Sequence, residues 1–492
     1  MKRTALITGI LVLGIITAFS QEELDDRDIA DAIENQYRFD HAINLNRIDV
    51  EVMDGIAELT GTVTNLKAKE RATRIAELVK GVRSVSNRIQ VDPPGEISEE
   101  GLRENVLMAL LSDPATESYE VDVSVDDGKV TLTGSVDSYQ EKQLAGHVAG
   151  SVKGVVELTN NIDVDYETGR ADQEIESEIE EAFRWDAQLE AGLIDVLVEN
   201  GEVELSGTVG SAAEKTNAYF TSWVAGVTSV DNSDLKVQHW AEDEELRKNK
   251  YVPAPDAEIE DAIKDVMLYD PRVYSFEITT EIENGWVTLR GMVDNLKAKK
   301  AAEKLAGNTT GVIGVNNRIR VRAEVPVTDA EIKEDINTSL ARNAITESWQ
   351  VDVLVNNGTV TLSGVVDSYL EKKEAEWVAS GVEGVDDVNN NIRVNYPVGY
   401  YWWGNYPHYD LFVEPPATSS LTPDDRKIRR NVENELWWSP FVDRDQITIY
   451  VENGNVTLEG TVDSWREYRK AVENAWEGGA WSVTNELAVK GS

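Results

Sequence analysis

Short runs of alternating apolar and polar residues recur six times along this 492-residue chain. The clearest run places Val121, Val123 and Val125 in alternation, followed by Asp127-Gly128 and a second alternating stretch. An Asp-Gly or Asn-Gly pair between two such runs predicts a β-hairpin, because the turn needs positive φ angles that glycine tolerates. We therefore predict six hairpins, with turn glycines at Gly55, Gly128, Gly201, Gly285, Gly358 and Gly454.

Each hairpin lies between two stretches that predict helices. Before the hairpin, apolar residues recur at helical spacing, as at Ile259 and Ile263. After it, four serines each have a glutamate three residues further on, a capping box in which both side chains bind free backbone N–H groups. The predicted N-caps are Ser138, Ser211, Ser368 and Ser464, with Asn65 and Asn295 in the other two copies. A short apolar strand closes each unit.

The repeating unit is therefore helix, strand, strand, helix, strand. We predict an α+β fold of six tandem αββαβ modules, each a small three-stranded mixed sheet with two helices on one face. Residues 239–254 form a linker, and residues 396–422 form an insertion rich in aromatic residues and proline. Matching segments 230 residues apart, such as those at Asn65 and Asn295, indicate that a three-module block was duplicated. Modules 1 to 6 span 24–92, 97–165, 172–238, 255–322, 328–395 and 423–490.

The end of each module carries a second signature, Gly-Val-x-x-Val-x-Asn-x-Ile. Residues 81–89 and 311–319 fit this pattern well, and residues 479–487 fit it least. Together with the αββαβ order and a glycine six residues after each turn glycine, this ending resembles the BON domain family. The resemblance implies association with phospholipid surfaces and a role in tolerating osmotic or envelope stress.

The N-terminus predicts a secretory signal peptide over residues 1–20. Lys2 and Arg3 precede an apolar stretch that ends at Thr17, and Ala18 and Ser20 then supply small residues. A membrane-spanning helix needs about 20 apolar residues, so an uncleaved anchor is the less favoured alternative. We expect an exported, periplasmic protein with no transmembrane span in the mature chain.

The charge balance excludes several classes of function. The chain has 47 Lys plus Arg against 90 Asp plus Glu, four histidines and no cysteine. A net charge of −43 argues against nucleic-acid binding, and the lack of cysteine excludes disulfides and thiolate chemistry. We interpret Asp-Ser pairs such as Asp137-Ser138 as helix caps rather than catalytic groups. We therefore expect no enzymatic activity, no cofactor and no metal.

Basic residues concentrate in modules 1 and 4, whereas modules 2, 3 and 5 carry most of the negative charge. One interpretation is a solvated face that pairs with acidic neighbours. The other is a site for an anionic headgroup or an acidic partner. The candidate residues are Lys67, Lys69, Arg71, Arg74, Lys297, Lys299, Lys300, Lys304, Arg318 and Arg320.

The insertion before module 6 is the second candidate. Aromatic rings of this kind suit a bilayer interface, a glycan or a proline-rich partner, and they also suit packing onto neighbouring modules. The candidate docking residues are Tyr400, Tyr401, Trp402, Trp403, Tyr406 and Tyr409. Two hypotheses follow. The first is an exported envelope protein that binds anionic phospholipid surfaces. The alternative is a periplasmic scaffold or chaperone-like solubiliser that binds envelope proteins.

Overall fold

The computed structural model confirms the predicted α+β fold of six modules, each with two helices. It describes residues 24–490 except 41–42, 44–46, 96, 117–119, 167–168, 243–253, 269, 271–272, 274–277, 323–325, 347–349 and 395–424. The first helices span Asp26–Phe39, Glu99–Leu111, Asp172–Trp185, Asp256–Leu268, Asp329–Arg342 and Asp425–Trp438. The second helices span Leu66–Glu77, Tyr139–Gly150, Ala212–Thr221, Leu296–Asn308, Tyr369–Ser380 and Trp465–Glu477. Short 3-10 helices lie at Ala191–Leu193, His239–Glu242 and Arg444–Gln446.

Each sheet has the second hairpin strand at its centre, with the first strand antiparallel and the third strand parallel to it. The hairpin strands are Ile48–Met53 and Ile56–Val63, Glu120–Asp126 and Lys129–Val136, Ile194–Glu199 and Glu202–Val209, Thr279–Glu283 and Trp286–Val293, Val351–Asn356 and Thr359–Val366, and Ile447–Glu452 and Asn455–Val462. The third strands are continuous at Glu157–Val164, Gly314–Val321 and Ser482–Val489. They are interrupted in modules 1, 3 and 5, as Ser84–Asn87 and Gln90–Val91, Ser229–Asp231 and Leu235–Val237, and Asp387–Asn390 and Arg393–Val394.

The hairpin turns have the geometry that the Asn-Gly and Asp-Gly pairs predict. In module 4, Asn284 has φ of 51° and Gly285 has φ of 77°, so both central residues of the turn are left-handed, as a type I′ turn requires. The backbone N–H groups of Asn284 and Gly285 also donate to the carboxylate of Asp256, at 2.8 and 2.9 Å. The first residue of the first helix therefore holds the turn. The same arrangement recurs at Asp26, Asp172, Asp329 and Asp425.

The asparagine of the terminal signature ties the third strand to the second helix. Asn317 Nδ2 donates to the carbonyl oxygen of Lys299 at 2.9 Å, and its Oδ1 accepts from the N–H of Ile319 at 3.2 Å. Because both ends of the amide are used, this residue has a structural role. Equivalent bonds are made by Asn87, Asn160, Asn390 and Asn485.

Each module has its own apolar core between the sheet and its two helices. In module 1, Ile33 of the first helix, Leu59 of the central strand and Ile89 near the third strand are all essentially inaccessible to solvent. Burying one such side chain contributes about 1.5–3 kcal/mol. The opposite face of each sheet carries no helix of its own module, and its side chains are largely polar.

The modules pack as two triplets, and each triplet is one copy of the duplicated three-module block. Within modules 1 to 3, Tyr139 stacks on Trp223 with ring centroids 3.8 Å apart, and Thr216 Oγ1 donates to Glu77 Oε1 at 3.2 Å. Within modules 4 to 6, Tyr369 stacks on Trp476 with centroids 5.3 Å apart. Tyr369 lies 230 residues after Tyr139, so both triplets use the same contact between their second and third modules.

Main-chain hydrogen bonds then join the two triplets module by module. The three pairs are modules 1 and 6, modules 2 and 5, and modules 3 and 4. The bonds run from Lys80 N to Trp438 O at 3.1 Å, from Lys153 N to Arg342 O at 2.9 Å, and from Ala187 N to Asn308 O at 3.0 Å. Each module therefore contacts modules of its own triplet and at least one of the other, so the six modules form one packed body.

Candidate functional site

The basic second helices of modules 1 and 4 lie at the contacts between modules. Lys67 is 9% exposed and Lys297 is 5% exposed. Lys67 Nζ lies 2.9 Å from Glu70 Oε2 and 3.2 Å from His147 Nδ1 of module 2. Burial, and then the neighbouring Lys67, lower the pKa of His147 well below its ordinary value. Because neighbouring modules cover Lys67 and Lys297, these two lysines are not part of an open basic surface, which corrects the expectation that they form a surface site.

The side chain of Lys297 is enclosed by residues of two other modules. Its ammonium group forms an ion pair with Asp113 of module 2 and lies 4.2 Å from the ring centroid of Trp377 in module 5. Gly381 permits this approach, since a Cβ atom there would lie 2.7 Å from Lys297 Nζ. Lys297 thus joins three modules from both triplets.

A second charged cluster lies between modules 1, 5 and 6. Arg71 donates to Asp40 Oδ2 at 2.8 Å and to Glu477 Oε1 of module 6 at 2.6 Å. Against the effect of burial, Lys470 and Arg71 hold the pKa of Glu477 below its ordinary value. Glu435 lies beside this cluster, 7% exposed, and burial, with the charge of Glu477, raises the pKa of Glu435 to about 8.

The remaining candidates divide between half-buried and exposed positions. Lys300 lies 2.6 Å from Glu376 Oε1 of module 5, and Lys69 and Lys299 are half-buried. The exposed members are Arg74, Lys304, Arg318 and Arg320. The predicted aromatic docking residues, like the predicted signal peptide, lie outside the described residues. The two basic helices are therefore divided among several contacts between modules, and Arg74 and Lys304 are their exposed members among the candidates.

The open face of the module 4 sheet is an accessible surface that groups three basic residues. It carries Arg290 on the central strand and Arg318 and Arg320 on the third strand, all exposed. The register places Arg290 directly beside Arg318 and Met292 beside Arg320. We call this surface, defined by Trp286, Arg290, Met292, Arg318 and Arg320, the arginine face.

Trp286 gives the arginine face an apolar end. Its side chain is 49% exposed, and its ring lies over Gly314, where a Cβ atom would come within 2.4 Å of the ring. Gly314 therefore lets the indole lie against the sheet beside the arginines. Met292, 42% exposed, provides a second apolar group at the other end of the same strand.

The arginine face occurs in module 4 alone among the six modules. The three positions of Arg290, Arg318 and Arg320 hold at most one basic residue in any other module. In module 5, for example, they hold Ser363, Asn391 and Arg393. Arg318 and Arg320 are among the basic residues predicted from the sequence, whereas Arg290 and Trp286 are not. Side chains alternate between the two faces of a strand, so residues 316, 318 and 320 share one face. This alternation is the sequence signal that identifies the arginine face.

The arginines of this face have like-charged neighbours and weak ion pairs. Like charges directly opposite each other on a sheet are destabilising, and Arg290 lies beside Arg318. The ion pair from Arg290 Nε to Glu281 Oε2 is 3.4 Å long with both groups largely exposed, and such pairs contribute about 0–1 kcal/mol. Asn316, on the same face, accepts from Nε and Nη2 of Arg318 at 3.1 and 3.0 Å. Each of these contacts is exposed, so an external anion can compete with it for the guanidinium donors.

One predicted helix cap and the absence of a metal cluster can be checked in the described residues. Ser138 Oγ accepts from the N–H of Glu141 at 3.2 Å while Glu141 Oε2 accepts from the N–H of Ser138 at 3.1 Å, so the capping box is confirmed. No group of three or more His, Asp or Glu side chains in the described part of the chain is placed to hold a metal ion. Within the same residues, no helix combines the length and the apolar character needed to cross a membrane.

Comparison with known proteins identifies the module. The sequence profile of the BON domain matches residues 25–93, 98–166, 171–238, 255–323, 328–396 and 424–491, which together make up most of the chain. The chain belongs to the BON domain family. Its six BON domains are the six αββαβ modules, and the hairpin turn and the terminal asparagine are the parts of the pattern whose structural roles are described above.

Several curated BON-containing relatives resemble parts of the chain. Osmotically-inducible protein Y of Escherichia coli K12 is 29% identical over 190 residues, covering 37% of this chain and 88% of that protein. Outer membrane lipoprotein DolP of Haemophilus influenzae is 29% identical over 138 residues, covering 27% of this chain and 71% of that protein. A 21 kDa hemolysin of Actinobacillus pleuropneumoniae is 32% identical over 109 residues, covering 21% and 56%.

Among solved structures, CdsD of Chlamydia trachomatis, a structural protein of the Type III secretion system, matches with 12% identity and a TM-score of 0.14. That match covers 47% of this chain and 98% of CdsD. At this score the likeness says nothing about the arrangement of the six BON domains.

Proposed function

We propose that this chain is an exported, non-enzymatic envelope protein of the periplasm that associates with anionic phospholipid surfaces and supports tolerance of osmotic or envelope stress. The arginine face of module 4 is the observation that carries the proposal. The names of two relatives, one osmotically inducible and one an outer membrane lipoprotein, support the envelope setting, as does the predicted signal peptide.

The chemistry of the arginine face suits a phosphate-rich surface. Guanidinium groups bind phosphate through paired N–H donors, and a basic residue near an anionic leaflet gains about 1 kcal/mol. Arg290, Arg318 and Arg320 together therefore contribute about 3 kcal/mol. Trp286 extends the contact, because indole rings favour the interface between headgroups and acyl chains.

The charge on the rest of the chain determines how this binding behaves. A net charge of −43 repels an anionic surface, so only an orientation that presents module 4 to the surface is attractive. Both effects are electrostatic, and the Debye length shortens from about 30 Å at 0.01 M salt to about 10 Å at 0.1 M. We expect binding that is weak, oriented and lost when the ionic strength is raised.

Vesicle flotation tests this proposal. The mature chain is mixed with phosphatidylglycerol or phosphatidylcholine vesicles at low and high salt. We expect flotation with the anionic vesicles at low salt only. Arg320→Glu is expected to abolish it, whereas Arg393→Glu, the same change at the equivalent position of module 5, is expected to retain it. Failure to float with anionic vesicles, or equal loss in both variants, contradicts the proposal.

A further inference from the structure

A cavity of about 60 Å³ lies where module 2 meets module 5, beside Lys297 of module 4. Two main-chain hydrogen bonds border it, from Lys153 N to Arg342 O at 2.9 Å and from Ala344 N to Ser151 O at 2.8 Å. About 10–15 Å³ of such space holds one water molecule. The cavity therefore has room for a group of several heavy atoms.

Equivalent surfaces of the two triplets form the cavity, but their chemistry differs. Residues 230 positions apart both line it, as the pairs Ser112 and Arg342, Asp113 and Asn343, and Ser151 and Gly381. The change from Ser112 to Arg342 adds a positive charge on the module 5 side. The change from Asp113 to Asn343 removes a negative one. The two halves have thus diverged so that positive charge concentrates on one side of the cavity.

The balance of charge in the cavity favours an anion. Lys297 and Arg342 supply two cations, while Asp113 supplies one carboxylate, which the ion pair with Lys297 already uses. Among the described residues, the Arg342 guanidinium has no hydrogen-bond acceptor and no ion-pair partner within contact distance. Burial lowers the pKa of Arg342, and Asp335 opposes that effect only in part. A half-buried cation without an acceptor carries a desolvation cost that a bound anion would recover.

We propose that this cavity binds a small oxyanion, such as phosphate, sulfate or a carboxylate group, between Arg342 and Lys297. Guanidinium and ammonium donors form short, charge-assisted hydrogen bonds to such oxygens. Trp377 keeps Lys297 in place, with the ammonium 4.2 Å from its ring centroid. Because modules 2, 4 and 5 all line the cavity, the bound anion links the two triplets and stabilises their packing.

Titration of the mature chain with inorganic phosphate tests the site. Calorimetry and thermal unfolding are measured against sodium chloride at matched ionic strength. Phosphate is expected to bind and to raise the melting temperature beyond the effect of chloride. Arg342→Ser places at this position the residue found at the equivalent position 112, and it is expected to weaken binding at least tenfold. Lys333→Ser removes a charge from an exposed position of the same helix and is expected to leave binding unchanged.

Two further arms keep the test decisive if Arg342→Ser fails to fold. Arg342→Lys keeps the charge but loses the paired donors, and we expect severalfold weaker phosphate binding. Phosphatidylglycerol vesicles are then added to the complex of the chain with phosphate. Release of the bound phosphate assigns the site to a lipid headgroup, and retention of the phosphate assigns it to a free oxyanion. No phosphate-specific binding by the unaltered chain, or equal binding by Arg342→Lys, overturns the proposal. Arg320→Glu is expected to bind phosphate normally, so this result is separable from the arginine face.

Discussion

Glu435 gives a sharp prediction about pH and stability. Its pKa rises from an ordinary value of 4.5 to about 8, so the folded state holds this proton more tightly than the unfolded state. The stabilisation from the protonated carboxyl is complete below pH 4.5 and is lost as the pH rises through 8. Each pKa unit corresponds to about 1.4 kcal/mol, so the full loss is on the order of 5 kcal/mol of unfolding free energy.

The substitution Glu435→Gln isolates this effect, because glutamine has nearly the shape of the protonated acid and cannot ionise. We expect the variant and the unaltered chain to be equally stable at pH 5. At pH 8.5 the variant is expected to be more stable, by on the order of 4 kcal/mol. The charged groups that act on Glu435 remain in both proteins, and they are Glu477, Lys470, Arg71 and Asp40.

Urea unfolding followed by tryptophan fluorescence at pH 5, 7 and 8.5 measures this difference. Glu433→Gln serves as the control, since Glu433 lies on the same helix, is 33% exposed and makes only a 3.7 Å contact with Arg429. It is expected to change stability by less than about 1 kcal/mol at every pH. The reasoning is refuted if the difference in unfolding free energy between Glu435→Gln and the unaltered chain stays constant across this pH range. It is also refuted if the unaltered chain is the more stable of the two at pH 8.5.

Three further substitutions test the packing. Lys297→Met leaves the buried Asp113 carboxylate unpaired and is expected to cost about 3–5 kcal/mol. Adding Asp113→Asn to this variant should restore part of the lost unfolding free energy, measured by urea denaturation. A double variant no more stable than Lys297→Met would contradict the ion-pair assignment. Asp256→Ala removes both acceptors from the module 4 turn and should cost about 1–3 kcal/mol, with faster amide hydrogen exchange at Asn284 and unchanged exchange in module 5. Leu289→Ala, in the module 4 core, should lower the unfolding free energy by about 2–5 kcal/mol, and thermal unfolding with no loss would contradict the core assignment.

Local signals were sufficient to predict the fold of each module. The Asp127-Gly128 pair requires left-handed turn geometry, and the Ser138 box satisfies backbone donors within four residues of itself. Both effects act between neighbouring residues, so a sequence reveals them directly. The hydrogen bonds from the module 4 turn to Asp256 join residues 28 and 29 positions apart. Only the packing of the first helix against the hairpin brings these residues together.

The binding surface was harder to predict, because a helical pattern shows which residues share a face but not what covers that face. Lys297 lies on a basic helix, yet its partner Asp113 is 184 residues away in another module. The arginine face depends on strand register, which places Arg290 beside Arg318. The sequence pattern identifies each strand, whereas the pairing of one with the other follows only from the folded sheet.

A fluorescent label at the arginine face tests the central proposal most directly. The chain has no cysteine, so Thr288→Cys on this face and Thr361→Cys at the equivalent position of module 5 each give one labelling site. An environment-sensitive dye is attached, and anionic vesicles are added at low salt. We expect a blue shift at position 288, reversed by high salt, and no shift at position 361. No shift at 288, or equal shifts at both positions, would contradict binding through module 4.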